Sequence, residues 1–506
     1  MNTVNYLELL QLAAPETIVT LAALAVLFAD LVWLRGVELR YRRLIGAAIS
    51  GFGCIVAILF LGTTHAHVSA LNGMLVVDPL TQLVKQALLV LTIFTALLSI
   101  DSDFTDHVGE YFALILLATV GMMFLVSSED ILMIFVSLEL TSLSLYILTA
   151  FNKRNIKSAE AALKYFLFGG MAAAFTLFGL SLLYGLSGAT NLSQIAAALK
   201  GKGLDPLLAV AIVMTVIGFG FKIAAVPFHL WAPDAYQGAP TPSAALIASG
   251  SKVASFFILA KVMMLGFAGV EGSGAWRGYA PGWMPVLALV AALSMILGNL
   301  AAIVQGNVRR LLAYSAIAHA GYAVLGVLAT GSHASAQLGF ASLVYYMVTY
   351  GLTVIGAFGV VNLVENVTGD ARLNDFAGLS RRAPFVSFCM MIFMLSLAGI
   401  PPLAGFFGKF YLFTAAVSAD AKNLGLLWLV ILAIAMSAVS LYYYLQVLKR
   451  IYVADVPTDA PAIPTPLSTK LSLGALALGV VLFGCAPDLL LGRIVSAVQT
   501  IASTHP

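Results

Sequence analysis

Five charged side chains interrupt long apolar stretches of the sequence, and they are the residues best suited to chemistry: Glu139, Lys164, Lys222, Lys252 and Lys409. A lysine or an acidic residue at the centre of a membrane costs roughly 2.5–3.5 kcal/mol. Pairing among them offsets part of that cost, so structural ion pairs are one interpretation of the set. The interpretation that we favour is a path for protons or cations, because ionisable residues inside membrane proteins commonly line such paths.

Two histidines extend this set. His229 lies between two prolines, and His319 lies in an apolar stretch that also contains hydroxyl side chains. A neutral imidazole can accept one hydrogen bond and donate another, which suits a proton relay. We therefore include both histidines among the candidate residues. Three further charged residues, Asp30, Lys85 and Lys261, are expected to reach the membrane surface along their own side chains.

The stretch from Gly218 to Pro242 positions the central candidates. Lys222 closes an apolar helix, and Pro227 follows it. Proline removes a backbone donor and clashes with the preceding turn, so the helix must break or kink there. Inside a membrane, the freed backbone groups must be satisfied by protein or by water in a cavity. A broken helix beside an ionisable group is typical of ion paths in transporters.

The composition places the chain in a membrane. Of its 506 residues, 61% are hydrophobic and 10% are charged, whereas soluble domains carry about 25% charged residues. The net charge of +3 is too small and too dispersed to indicate nucleic-acid binding. The cysteines stand singly in apolar runs, without the spacing of metal or iron–sulfur ligands: Cys54, Cys389 and Cys485. We expect no cofactor, metal or redox centre in this chain.

Apolar runs of spanning length predict an all-α, polytopic membrane protein of about 14 transmembrane helices. The predicted spans lie near residues 14–34, 44–62, 77–100, 109–127, 130–150, 158–185, 205–226, 241–268, 283–303, 310–329, 337–364, 386–416, 424–448 and 469–490. Four hydrophilic residues, Ser127 to Asp130, are enough to separate the fourth span from the fifth. A single helix of their combined length would overshoot the bilayer.

Positive charge is divided unevenly between the two sets of loops. The richer set contains Arg35, Arg40, Arg42, Arg43, Lys153, Arg154, Lys157, Arg309, Arg310, Arg372, Arg381, Arg382, Lys449 and Arg450. Before the C-terminal end, the poorer set contains only Lys200, Lys202, Arg277 and Lys422. Because positively charged loops remain in the cytoplasm, we expect the richer set to lie inside and both termini outside.

Two proline-interrupted helices indicate an internal repeat. Lys222 precedes one break, Lys409 follows the other, and an earlier span of each unit carries Glu139 or His319. Units of five helices would insert with opposite topology, which gives two inverted repeats, each with a broken helix. The alternative is two unrelated kinked helices. The predicted divisions are 1–108 (helices one to three), 109–268 (first repeat), 283–450 (second repeat) and 451–506 (a cytoplasmic loop and helix fourteen).

Two stretches of the sequence resemble a known family. Lys222–Pro242 and Arg309–Tyr322 are similar to the antiporter-like membrane subunits of respiratory complex I, the proton-pumping NADH:quinone oxidoreductase, and the similarity covers nearly the whole chain. Within this family the sequence most resembles the N-type subunits. That branch is favoured by the fourteen-span length and by three motifs: PDAYQGAP at Pro233–Pro240, APE at Ala14–Glu16 and AALKY at Ala161–Tyr165.

The resemblance implies a pathway of two half-channels joined by a central axis of Lys, Glu and His residues. In the first half-channel, Glu139 would pair with Lys164 at the mouth, and Lys222 would be the central proton carrier. The remaining candidates would link onward to the second half-channel or serve it: His229, Lys252, His319 and Lys409.

The resemblance also implies what lies outside this chain. FMN, iron–sulfur clusters and quinone are expected in partner subunits, and the partners include neighbouring antiporter-like subunits in a bacterial inner membrane. Two alternatives remain open. One is a membrane subunit of a multisubunit cation/proton antiporter or of a membrane-bound hydrogenase. The other is a stand-alone transporter of an organic substrate, against which the scarcity of polar side chains around the breaks argues.

Overall fold

The computed structural model describes residues 6–63, 67–201, 203–332, 335–419, 424–458 and 461–504, and most of them are helical. The first half contains α1 (Tyr6–Leu12), α2 (Ala14–Val32), α3 (Leu39–Leu61), α4 (Pro79–Ser99), α5 (Val108–Val126), α6 (Ile131–Thr149), α7 (Ile156–Ser187), α8 (Leu192–Leu199), α9 (Pro206–Lys222), α10 (Trp231–Gly238), α11 (Thr241–Ala248) and α12 (Gly250–Lys261). The second half contains α13 (Trp283–Ile303), α14 (Val308–Ala329), α15 (Ala336–Thr368), α16 (Leu379–Arg382), α17 (Pro384–Ala398), α18 (Ala404–Ser418), α19 (Leu427–Tyr452), α20 (Leu467–Cys485) and α21 (Asp488–Thr504).

Short elements complete the described part of the chain. Strands β1 (Val68–Ala70) and β2 (Leu75–Val77) form an antiparallel hairpin around the 3-10 turn Leu71–Gly73. A second 3-10 turn covers Leu373–Phe376, and a π-helical turn covers Val262–Gly266 at the end of α12. Single π turns inside or beside α-helices are often found at functional sites.

The predicted all-α, multi-pass membrane fold is confirmed. In the described ranges, 12 helices are long and apolar enough to cross a membrane, and the shorter apolar helices α9 and α17 add to them. Each predicted span coincides with one helix or with two consecutive helices, and one helix is added. The predicted span 386–416 is divided into α17 and α18, at the proline pair that marked the second break. The predicted span 241–268 is divided at Ser249 into α11 and α12, and α21 follows the last predicted span. Lys202 and Lys422, which the orientation argument used, lie outside the described residues.

Side chains at the helix starts explain several of the boundaries. An Asp or Asn side chain at the N-cap accepts hydrogen bonds from backbone N–H groups of the first turn, which have no partner inside the helix. In α4 the cap is a full capping box between Asp78 and Thr81. The other caps of this type are Asp130 on α6, Asn155 on α7, Asn191 on α8, Asp205 on α9 and Asn307 on α14.

The most buried helices lie at the centre of the molecule. The segment formed by α11 and α12, together with α14 and α15, is almost wholly enclosed by protein, whereas only a minority of the residues of α2, α3, α7 and α19 is buried. A peripheral helix in a membrane protein meets lipid or another subunit on its exposed apolar face, so such exposure needs no soluble partner. All the candidate residues except Lys164 lie on or beside the central group.

Two sets of backbone hydrogen bonds have the same pattern in the two halves. In the first, Ile131 N donates to Thr190 O at 2.9 Å and Leu192 N donates to Glu129 O at 2.8 Å. The second set has Val308 N donating to Ala371 O at 2.8 Å and Leu373 N donating to Gly306 O at 2.9 Å. The first set joins the loop before α6 to the loop after α7, and the second joins the loop before α14 to the loop after α15. Both α7 and α15 end on a glycine in the left-handed conformation, Gly188 and Gly369.

Candidate functional site

Protein groups satisfy the backbone at the break between α9 and α10. The indole N–H of Trp231 donates to the carbonyl of Phe221 at 3.0 Å. The N–H of Val226 donates to Ser294 Oγ, on α13, at 2.9 Å. These two bonds supply partners for groups that the interrupted helix leaves unpaired. The broken helix is therefore held in place by side chains from its own far end and from the second half of the chain.

Lys222 lies on the last turn of α9, directly before this break. Its Nζ donates a hydrogen bond to Ser142 Oγ on α6, and it lies 5.7 Å from the ring centre of Tyr146. Within the described chain, no carboxylate oxygen lies within 4.0 Å of this Nζ. Glu139, one turn before Ser142, is near enough to attract Lys222 electrostatically but too far away to form an ion pair. The neighbours of the ammonium group are thus a hydroxyl and an aromatic ring, both neutral.

A small cavity lies beside Lys222. Its volume is about 10 Å³, which is near the lower limit for a single water molecule. Hydroxyl groups from two helices line it: Thr141 and Ser142 on α6, and Ser251 and Ser255 on α12. Polar lining favours a water over an empty void. The cavity brings the surroundings of Lys222 next to the first turns of α12, where the next candidate lies.

Lys252 lies on the first turn of α12 and is 2% exposed. Its Nζ is without a hydrogen-bond partner among the described residues, and the ring centre of Trp231 is 5.6 Å away. The backbone leaves the helical conformation at Ser249, with φ −117° and ψ −84°. Glycine at position 250 weakens a helix there. The predicted continuous span 241–268 is therefore wrong in shape, because the helix is interrupted just before Lys252.

His229 and an aromatic stack complete the surroundings of the first break. His229 lies between α9 and α10, is 7% exposed, and has no hydrogen-bond partner at Nδ1 within the described chain. Tyr165 of α7 stacks face to face on Trp231, with ring centres 4.1 Å apart. Because the same indole also lies over Lys252, Trp231 connects the break to α7 and to α12. Sequence reasoning missed both aromatic residues.

Lys409 lies beside the second break, which separates α17 from α18. It follows this break in the sequence, whereas Lys222 precedes the first break. The Nζ of Lys409 donates to the carbonyls of Leu397 and Ala398, the last residues of α17, at 2.9 and 3.1 Å. A third bond, also 2.9 Å long, goes to Ser437 Oγ on α19. A cation at a helix C-terminus is stabilised by the carbonyl groups that lack intrahelical partners. Lys409 is 4% exposed, so this ammonium is enclosed by neutral oxygen atoms.

His319 lies at the centre of a hydroxyl network in the second half. Its Nδ1 is 2.6 Å from the hydroxyl of Tyr346, and its Nε2 is 3.1 Å from that of Tyr444. Tyr444 is in turn 2.5 Å from Ser315 Oγ. A neutral imidazole with hydroxyls at both nitrogens can take a proton on one side and release one on the other. Lys409 lies close enough to exert an electrostatic effect on this histidine.

Lys164 does not pair with Glu139, and the prediction of that pair is wrong. Its Nζ lies 2.9 Å from Asp234 and 2.7 Å from Glu160, one turn earlier on α7. Asp234 also accepts from Arg310 at 2.6 Å. The side chain of Lys164 is 40% exposed, because it lies in the third turn of α7 rather than deep in the membrane. Sequence spacing could not show that α10 would bring a carboxylate next to it.

A second ion pair beside α10 is more deeply buried. Arg309, 5% exposed at its side chain, lies 2.6 Å from Glu365 at the end of α15. The same guanidinium donates to the carbonyls of Tyr236 and Ala239, at the end of α10. Arginine can satisfy several acceptors at once because its donors form a rigid fork. This side chain therefore links the broken helix of the first half to two helices of the second.

The three residues expected to reach the membrane surface are paired instead, and that expectation is wrong. Lys85 lies 2.6 Å from Glu16, and both side chains are at most 2% exposed. Lys261 lies 2.9 Å from Glu129, and Asp30 accepts two bonds from Arg42 at 2.8 and 2.7 Å. The buried lysines thus fall into two classes. Lys85 and Lys261 have carboxylate partners, whereas the central ones rest on neutral groups: Lys222, Lys252 and Lys409.

The described residues do not group His, Cys, Asp or Glu side chains, three or more together, in a way that could hold a metal ion. What the arrangement can do chemically is hold and release protons. An ammonium on neutral ligands can become an amine without leaving a carboxylate uncompensated, since no negative charge depends on it. A lysine in a buried ion pair cannot do so at the same low cost.

Comparison with known proteins identifies the family. A family model described as NADH:quinone oxidoreductase/Mrp antiporter, TM, matches residues 128–437. NADH-quinone oxidoreductase subunit N 2 of Acidobacterium capsulatum is 54% identical, over 97% of this chain and 99% of its own length. The chain belongs to the NADH:quinone oxidoreductase/Mrp antiporter membrane-subunit family. The resemblance predicted from the sequence is thereby confirmed, and within the family the similarity is to subunit N.

Other members of this family agree with that placement. NADH-quinone oxidoreductase subunit N of Rhodospirillum rubrum is 38% identical over 89% of this chain and 90% of its own length. A chain of respiratory complex I from Thermus thermophilus with bound aureothin has a TM-score of 0.75 and 33% identity, covering 94% of this chain and 98% of that chain. The Mrp complex from Dietzia sp. contains a chain with a TM-score of 0.80 at 20% identity, covering 97% and 98%, which shows the shared fold alone.

Several residues that form ion pairs at the site are conspicuous in the sequence, but they were interpreted in another way. Arg309 and Arg310 entered the orientation argument as loop charges, and Asp234 was read as part of a family motif. An acidic residue directly after a proline break, together with an arginine pair at a helix start, could have suggested ion pairs. Glu365 gave no such signal, because it lies near the end of a long helix where exposed carboxylates are common.

Proposed function

We propose that this chain is a proton-translocating membrane subunit of NADH:quinone oxidoreductase, with two half-channels joined by a central axis of Lys, Glu and His residues. One observation carries the proposal. Three lysines of the central axis rest on neutral groups, while two other buried lysines of the same chain are paired with carboxylates. Burial disfavours the ammonium form when no opposite charge compensates it. The unpaired lysines are therefore the ones able to gain and lose protons.

The first half-channel leads from the ion pairs around Lys164 to the central axis. Protons reach Lys222 past Glu139 and Ser142 on α6. From there, the hydroxyl-lined cavity and the two groups near Trp231, His229 and Lys252, lead onward. Chains of hydroxyl groups, water and imidazole conduct protons because each member can donate and accept. Geometry supports this order, since the cavity touches both Lys222 and the helix that carries Lys252.

The second half-channel uses His319 and Lys409. His319 has tyrosine hydroxyls at both ring nitrogens, and Lys409 is bound by two carbonyls and a serine. Tyr322 lies 5.1 Å from the Lys409 ammonium and one turn from His319. Lys409 follows the break in its helix, whereas Lys222 precedes the break in its own. Each half thus has a titratable lysine beside a helix break.

The proposed division of the chain follows the predicted ranges. Residues 109–268 form the first repeat, residues 283–450 form the second with opposite topology, and the segments 1–108 and 451–506 flank them. Support comes from the matching backbone hydrogen bonds between loops in the two halves. Both termini lie on the outer side of a bacterial inner membrane in this arrangement. Labelling of a cysteine placed at the C-terminus only from the cytoplasmic side would contradict it.

Partner subunits supply the redox chemistry. The relatives are subunits of NADH-quinone oxidoreductase, so we place electron transfer from NADH to quinone, with FMN and iron–sulfur clusters, in other chains of the assembly. Neighbouring antiporter-like subunits and lipid surround this one. Purification of the chain with its native partners separates the candidate functions: NADH-oxidising subunits support the proposal, and nickel–iron hydrogenase subunits or a lone functional chain contradict it.

Glu139→Gln tests the relay. We expect this variant to assemble normally but to translocate protons about tenfold more slowly, because the neutral amide no longer stabilises the protonated form of Lys222. The measurement is proton uptake by vesicles containing the whole assembly during turnover, normalised to the amount assembled. Glu38→Gln, at the cytoplasmic end of α3, is the matched control and should pump normally. A Glu139→Gln assembly that pumps at the wild-type rate rules out a relay role for Glu139.

A further inference from the structure

A large cleft lies outside the proposed pathway, between α4, α15 and α21. Its volume is about 930 Å³. One stripe of α4 forms a wall, with residues at helical spacing: Pro79, Gln82, Leu83, Gln86, Ala87, Val90 and Leu91. From Pro79 to Leu91 the stripe extends about 18 Å at 1.5 Å per residue. The cleft is therefore long enough to enclose an extended hydrocarbon chain.

The cleft has a polar end and an apolar end. Gln82 and Gln86, in the first three turns of α4, contribute to its wall, whereas Leu91, further along α4, lines it together with Val348 and Leu352 of α15. The polar end lies where three membrane-spanning helices begin or end, since α3 ends at Leu61, α4 begins at Pro79 and α20 ends at Cys485. That end is consequently at the membrane surface, and the apolar end points into the bilayer.

Two opposite charges on α21 line the cleft. Asp488 and Arg493 are both exposed, and neither forms an ion pair or a side-chain hydrogen bond within the part of the chain described here. They are five residues apart on a helix, outside the spacings of three and four residues at which side chains pair. A ligand that matches them needs a negative and a positive group in one head, above an apolar tail.

We propose that the cleft binds a membrane phospholipid whose head combines a phosphate with a primary ammonium, as in phosphatidylethanolamine. The guanidinium of Arg493 donates to the phosphate, and the carboxylate of Asp488 accepts from the ammonium. An acyl chain lies along the part-buried residues Leu83, Ala87 and Val90 of the α4 stripe, and its end reaches the part of the cleft lined by Leu91, Val348 and Leu352. Charge complementarity favours such a lipid over an apolar helix of a partner subunit, which would leave both charges without partners.

Photocrosslinking tests this site on the whole assembly. The purified assembly is placed in phosphatidylcholine vesicles with a small amount of phosphatidylethanolamine that carries a diazirine near the end of one acyl chain. After irradiation, we expect label on peptides that contain Leu91, Val348 and Leu352. Unlabelled phosphatidylethanolamine should compete. Phosphatidylcholine should not, because its quaternary ammonium has no N–H donor, and phosphatidylglycerol should not, because its head has no positive charge.

Variants test the two head contacts. Arg493→Gln and Asp488→Asn should each lower the label about tenfold, since a hydrogen bond to a charged group contributes about that factor to binding. Arg277→Gln, at another exposed arginine, should retain it. If a variant fails to assemble, competition by unlabelled lipids on the unmodified chain still tests whether the cleft selects phosphatidylethanolamine. Equal competition by phosphatidylcholine, label spread evenly onto exposed Leu59 and Phe52, or a crosslink to another polypeptide in the cleft would each overturn the proposal.

Discussion

With Lys222 replaced by arginine, we expect proton uptake by the assembly to fall about a hundredfold, the lower limit of what a positioned proton-transfer group contributes. Lys222→Met should cause the same loss. Arginine retains the positive charge but stays protonated in proteins, whereas lysine can lose its proton when burial disfavours the charge. A site that needs only a cation should tolerate arginine, and a proton carrier should not. The measurement is the initial rate of proton uptake by vesicles, normalised to assembled complex.

Lys261→Arg is the matched control for this comparison. Lys261 is also buried, at 6% exposure, but it forms an ion pair with Glu129 at 2.9 Å. Arginine can keep that pair, so we expect the control to pump at close to the wild-type rate. If both variants lose pumping equally, arginine is simply too large for buried lysine positions, and the distinction between paired and unpaired lysines carries no functional meaning.

Replacing Arg309 with glutamine should prevent the chain from accumulating in assembled form. Arg309 is 4% exposed, pairs with Glu365 at 2.6 Å, and donates to two carbonyls at the end of α10. Removing one partner of a buried ion pair costs about 3–5 kcal/mol. We expect the lower part of that range, because Glu365 keeps some access to solvent at 25% side-chain exposure. The measurement is the amount of chain in the native-gel band of the assembly.

Arg381→Gln is the control for the loss of charge alone. Arg381 is 63% exposed and lies 3.6 Å from Asp455, and exposed pairs of this kind contribute about 0–1 kcal/mol. We expect normal assembly from this variant. Normal assembly of Arg309→Gln would show that the end of α10 is held by other contacts and that the ion pair with Glu365 is dispensable.

The sequence was sufficient to predict the helices and the first break. Apolar runs fix the spans because every backbone group inside a membrane must be satisfied within a helix. Pro227 marks the break after Lys222, and the structure places it between α9 and α10. Lys222, Lys252 and Lys409 are buried or partly buried, as their apolar surroundings suggested. These features depend on local sequence, so a single chain reveals them.

Pairing between distant residues could not be predicted in the same way. Lys164 was assigned to Glu139, but α10 folds back after the break and brings Asp234 to it instead. Lys85 was expected to reach water, yet Glu16 lies 2.6 Å away on α2. Which carboxylate meets which lysine depends on how helices pack, and residue spacing along one helix does not contain that information. The interruption at Ser249 was also missed, because no proline marks it.

The ratio of protons taken up to NADH oxidised, measured in the same vesicles, tests the central claim most directly. The assembly containing Lys222→Arg is compared with the unmodified assembly and with Lys261→Arg. We predict that Lys222→Arg either lowers this ratio while NADH oxidation continues, or stops both processes together, and that Lys261→Arg changes neither. If Lys222→Arg oxidises NADH and takes up protons at the unmodified ratio and rate, then Lys222 carries no proton and the proposed pathway through it is wrong.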